Sequence, residues 1–149
     1  MTVDQKGVIR FFNSGSPYRL RFKKKLKAFI PLIFKKEKKA FSSMNIILCS
    51  DYELLELNKE YLGRNYLTDT ITFLFSQKSE SIKGESYISL DRVKENALKE
   101  NISTEEELIR VIFHGALHLC GYMDKRKEER LLMRKKEDYY IKEFKSCFT

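Results

Sequence analysis

The chain is poor in several of the features that would place it quickly. It has three cysteines, Cys49, Cys120 and Cys147, an odd number at wide spacing. That pattern excludes a disulfide-stapled secreted module and predicts free thiols in a reducing compartment. No apolar run approaches the length needed to cross a bilayer, and the first residues lack the apolar core of a signal peptide. A cytoplasmic protein with no membrane partner is therefore expected. Internal repeats are absent, and the only biased segments are lysine clusters. Histidine is scarce too: there are two, and they lie four residues apart.

What is present suits one globular domain. At 149 residues, 42% hydrophobic and 34% charged, residues 1–149 can bury a single core without covalent staples. The net charge of +8 favours a polyanionic partner by long-range attraction. Charge alone does not choose among RNA, DNA and an acidic membrane surface.

The two histidines stand in His114-Gly-Ala-Leu-His118-Leu-Cys-Gly121-Tyr-Met-Asp124. On a helix this spacing stacks both imidazoles on one face, which is metal-ligand geometry. Gly121 falls where helices commonly end in a left-handed residue, so the chain can turn back and bring Asp124 to the same point. His114, His118 and Asp124 would then form a three-ligand site with an open fourth position, the pattern of a catalytic zinc. The bland reading, two ordinary helix histidines, is weakened by the glycine, the carboxylate and the apolar run around the pair. The frame also fits metzincin proteases except that their general-base glutamate, directly after the first histidine, is here Gly115. Cys120 lies about 200° around the helix from His118 and is read as packing.

The order of elements follows from periodicity. Val8 to Phe12 reads as a strand ended by the turn Asn13 to Pro17. An amphipathic helix runs within residues 18–39, with Pro31 as a kink or a first turn. Its lysines make a solvated face or an RNA contact. Met44 to Cys49 is a buried strand, and Ser50 or Asp51 caps the helix that runs to about Tyr61. Thr70 to Phe75 and Glu85 to Leu90 form an antiparallel pair across a polar connection. Asp91 is placed to cap a helix over 92–99. Ser103 and Glu106 make a capping box for the helix Thr104 to Cys120, whose glutamates suit its positive end. A charged helix follows from Lys125 to Phe144. The fold class is α+β, or mixed α/β, with about five helices.

The histidine motif resembles the signature of the YbeY family of bacterial single-strand-specific endoribonucleases, which act in ribosomal RNA maturation and ribosome quality control. Three further segments resemble the same family in the same order: Leu57-Asn58-x-x-Tyr61, Thr68 to Phe73, and Gly84-Glu85 leading to Asp91-Arg92. The resemblance implies a small, mostly parallel sheet of about four strands with one antiparallel edge, covered by helices. Most members carry histidine as third ligand. Counted from His114 that position is Asp124, and a slip of one residue across Met123 would put Lys125 there. Many members have an arginine just after the motif tyrosine, where this chain has Leu62, with Arg64 two residues on.

The expected activity is cleavage of single-stranded RNA with one zinc per chain. It acts on small-subunit ribosomal RNA, with the ribosome small subunit as partner and no DNA. His114, His118 and Asp124 are the expected metal ligands. Arg64 or a lysine would stabilise charge on the phosphorane. Asp69 and Thr70 read equally as cleft residues or as a strand start, and Tyr122 as a base-stacking or a packing residue. Arg92 reads as a phosphate contact or a partner of Glu95. Two other readings stay open: a non-catalytic RNA- or ribosome-binding protein with a structural metal, and a zinc peptidase, which Gly115 disfavours.

Overall fold

Five helices and four strands account for the regular structure of the described residues. The structure is a computed structural model, and it describes residues 7–15 and 18–147. In chain order the elements are β1 (Val8–Asn13), α1 (Lys23–Lys36), β2 (Phe41–Cys49), α2 (Asp51–Leu62), β3 (Thr70–Leu74), β4 (Ile82–Ser89), α3 (Leu90–Glu100), α4 (Thr104–Leu119) and α5 (Lys127–Cys147). The sheet order is β1-β2-β4-β3. β1, β2 and β4 run parallel, and β3 pairs antiparallel with β4 as the edge. α1 is the crossover that the parallel β1–β2 pair requires. The α+β class, the mostly parallel sheet and its single antiparallel edge all agree with expectation.

The differences lie at element ends. β2 starts at Phe41 and β4 at Ile82, so Lys83 and Gly84, read as connection, are paired strand residues. Parallel pairing decides this: the Ile82 amide donates to Ala40 O at 2.8 Å, a bond no local pattern announces. Pro31 lies inside α1, whose buried face (Leu26, Phe29, Ile30, Ile33, Phe34) continues past it. Burial of that face outweighs the lost backbone bond. Ser50 caps α2 in a full capping box with Glu53. Ser89, not Asp91, caps α3, and Asp91 instead accepts from the Asp51 amide. Ser103 caps α4, but only half of the expected box forms, because the Glu106 carboxylate pairs with Lys145 at 2.8 Å. Ser16 and Pro17 of the expected first turn lie outside the described residues.

α4 is the central helix. Residues on nearly every side of it are buried, from Leu108 to Leu119, which is the mark of a helix enclosed by its neighbours. It packs against α1, α3, α5 and the strands β3 and β4. Two glycines let it come that close. A Cβ at Gly84 would stand 2.5 Å from Leu119 Cδ2, and one at Gly115 would stand 2.3 Å from Ser86 Oγ.

Candidate metal centre

The last two turns of α4 carry His114 and His118, whose ring centroids are 4.5 Å apart. Cys120 ends the helix and Gly121 takes a φ of 109°, a conformation side chains disfavour. The reversal this allows brings Asp124 Oδ2 to 3.2 Å from His114 Nε2 and 3.1 Å from His118 Nε2. Ligand-type atoms of the three residues all lie within 4.8 Å of one another. The residue at the third corner is therefore Asp124, and Lys125 lines the cleft beside it.

The outer nitrogens determine what this trio is suited to hold. His118 Nδ1 lies 2.8 Å from the carbonyl oxygen of Tyr122, an acceptor only, so Nδ1 carries the proton. His114 Nδ1 lies 2.6 Å from Glu137 Oε2, which likewise accepts. With both Nδ1 atoms engaged by acceptors, it is the two Nε2 atoms that face the Asp124 carboxylate. Two imidazole nitrogens and a carboxylate oxygen converging on one point are a donor set that can hold a metal ion. The electrostatics agree. Burial pushes the His114 pKa down, but the hydrogen bond and charge of Glu137, with Asp124 and Asp69, outweigh it and hold the ring above its ordinary value. The surroundings of His114 thus favour positive charge. Among the described residues no fourth His, Cys, Asp or Glu joins the group, so a bound ion would keep a position open to the cleft.

That cleft has a volume of about 780 Å³ and runs from the trio to the loop after α2. Arg64 lines it from this loop and makes no ion pair among the described residues. Asp69 and Thr70 line it as well, at the start of β3. Burial raises the Asp69 carboxyl above its ordinary value despite the opposing pull of His114.

The remaining sequence candidates fall elsewhere. Tyr122 packs against the core and donates to Glu37 at 2.6 Å, while its carbonyl orients His118. Arg92 pairs with Asp51 and Glu95. Cys120 is buried, its thiol pushed up to about 12 by burial and by Glu37. The α1 lysines at 23–25, 27, 35 and 36 are exposed. Gly115, where a zinc peptidase would carry its base, faces Ser86 and Thr72 of the sheet, so a glutamate there has no room without a shift of the sheet.

Sequence reasoning missed the residues behind the site. Glu137 is 5% exposed and bonded both to His114 and, at 3.1 Å, to Arg110 Nη1. It sits in the helical register of the buried residues Met133, Tyr140, Ile141 and Phe144 of α5. A carboxylate inside an apolar stripe is a signal that could have been read. Asn58, named in the sequence only as part of the segment Leu57-Asn58-x-x-Tyr61, has a comparable place: it shares the buried face of α2 with Leu54, and its Nδ2 donates to Tyr66 O at 2.9 Å, anchoring the loop that carries Arg64.

Comparison with known proteins points one way. The sequence model of the family described as Endoribonuclease YbeY matches residues 13–145. A relative from Cytophaga hutchinsonii named Endoribonuclease YbeY is 43% identical over 130 residues, covering 87% of this chain and 91% of the relative. A second with that name, from Chlorobium phaeobacteroides, is 45% identical over 77% of this chain and 80% of its own length. The solution structure of a Thermotoga maritima protein superposes with a TM-score of 0.64 at 34% identity, over 92% of this chain and 89% of that one.

Proposed function

This chain belongs to the YbeY endoribonuclease family, and from that membership we propose that it is a zinc-dependent, single-strand-specific endoribonuclease. In this reading residues 1–149 work as one domain on ribosomal RNA, in maturation of the small-subunit 3′ end and in ribosome quality control. The setting is the cytoplasm, with the small subunit as partner. The observation that carries the reading is the convergence of His114, His118 and Asp124 on one point in the lining of an open cleft. Two imidazoles and a carboxylate suit zinc by ligand type, and three ligands suit a catalytic rather than a structural site. That no fourth ligand closes the group among the described residues speaks against a purely structural metal.

An ion held there would supply Lewis acidity toward a phosphodiester oxygen and make water easier to deprotonate. The protein's own share is positional. Glu137 and the Tyr122 carbonyl fix the ring orientations through Nδ1. Arg64 faces the same cleft with an uncompensated guanidinium and is assigned to the developing phosphorane charge. Asp124, in the place where most members carry histidine, makes the site less positive.

Cleavage of end-labelled single-stranded and duplex RNA by the zinc-loaded chain tests the proposal. Single strands should be cut and duplexes spared, with activity abolished by chelator and restored by zinc. Cleavage that survives chelation, or binding without cleavage under all conditions, would defeat it. No helix among the described residues is long and apolar enough to cross a membrane.

A further inference from the structure

The cleft is chemically two-sided. One end holds His114, His118, Asp124 and Lys125. The lining also includes Leu62, Tyr66 and Leu74, which are 42%, 54% and 52% exposed. Large apolar side chains left open to water beside a polar site mark a contact surface. A cation stands among them, because Arg64 lies between Leu62, at the end of α2, and Tyr66 in the loop that follows. That loop is held in place: the Arg64 amide donates to Asn58 O at 3.1 Å, and the buried Asn58 side chain donates to Tyr66 O at 2.9 Å.

An occupant matching this layout has a flat apolar part and an anionic part a few bonds away, and a nucleotide has that shape. A phosphate drawn to Arg64 and the metal end leaves its base against Tyr66. The net charge of +8 favours the same polyanion. We infer that Tyr66, supported by Leu62 and Leu74, is a stacking shelf for an unpaired base next to the scissile phosphate. This shelf restricts the site to single strands. A base within a duplex already has both faces covered by its neighbours, so reaching Tyr66 requires unstacking that a single strand does not need. The inference rests on the nuclease reading for the identity of the phosphate-bearing ligand. The shelf itself is a statement about binding.

The chain contains no tryptophan, so Tyr66→Trp introduces a single reporter at the shelf. Stopped-flow mixing of this zinc-loaded variant with a short single-stranded RNA, read before turnover, should quench its fluorescence. An abasic oligonucleotide or a duplex of equal length should quench it weakly. In the otherwise natural chain, Tyr66→Ala should raise KM for single-stranded RNA about tenfold, in line with the loss of one stacked base, and lower kcat much less. Zinc content should not change. Leu67→Ala, in the same loop, 48% exposed but outside the cleft, is the control and should leave KM unaltered. Equal quenching by duplex and single strand, no quenching at all, or an unchanged KM for Tyr66→Ala overturns the shelf. Selective quenching in a chain that never cleaves RNA would uphold the shelf while sinking the nuclease reading.

Discussion

The two walls of the cleft are built on opposite principles. The metal wall belongs to the most buried helix of the molecule, and each of its imidazoles is held from behind by a hydrogen bond to Glu137 or to the Tyr122 carbonyl. The rim is the end of α2, the loop after it and the end of β3, with Leu62, Tyr66 and Leu74 open to solvent and one buried side chain, Asn58, tying the loop down. A ligand set tolerates little displacement, so it sits where packing fixes rotamers. A substrate contact must admit and release a flexible chain, so it sits where little else is packed. Changes on the metal wall should therefore abolish chemistry, and changes on the rim should weaken binding.

The sharpest separation is at His118. Replacing it by alanine removes one of the three donors and should lower kcat by about three orders of magnitude, equivalent to about 4 kcal/mol. A loss confined to KM would erase the distinction between the walls. Glu137→Gln preserves volume but exchanges a carboxylate for a weaker acceptor at His114 Nδ1, so zinc affinity should fall about 10- to 100-fold in a chelator competition. Gly115→Ala tests the support from the sheet side. Its new methyl meets Ser86 Oγ, which is fully buried and 2.9 Å from Thr72 Oγ1, so unfolding in urea should reveal about 1–3 kcal/mol of lost stability. On the rim, Asn58→Ala frees the Tyr66 carbonyl and should raise KM about three- to tenfold with full zinc occupancy.

An effect of another kind, on stability rather than on catalysis or binding, concerns pH. Glu107 is pushed up to about 7, first by burial and then by the carboxylate of Asp69. The folded chain thus holds this proton more tightly than the unfolded one. The stability it confers is complete below the ordinary carboxylate value and is lost as pH rises through about 7. Glu107→Gln, which cannot ionise, should accordingly be more stable than the natural chain by about 3 kcal/mol at pH 8 and by little at pH 4.5. Equal gains at both values would mean that Glu107 does not titrate in this range.

The same contrast explains what the sequence disclosed. The histidine pair, Gly121 and Asp124 lie within eleven residues, and helical period plus one glycine turn suffices to bring them together. The fold class was legible for a similar reason, since each strand and helix announces itself by local pattern. Glu137 reaches His114 from another helix, 23 positions away, and no local spacing encodes that contact. The same holds for the start of β4, which depends on a bond to Ala40, and for the cap of α3, where Ser89 took the place expected of Asp91. Asn58 and Glu137 did leave a trace, as polar residues within buried helical stripes. That trace marks them as special without naming their partners.

The central claim is that His114, His118 and Asp124 hold a metal on which cleavage depends. Metal analysis by mass spectrometry of the purified chain and of Asp124→Ala, each assayed in parallel on a labelled single-stranded RNA, addresses it most directly. Close to one zinc per chain, lost together with cleavage in the variant, is the predicted result. Asp124→Ala that retains full zinc and cuts RNA as fast as the natural chain would contradict it.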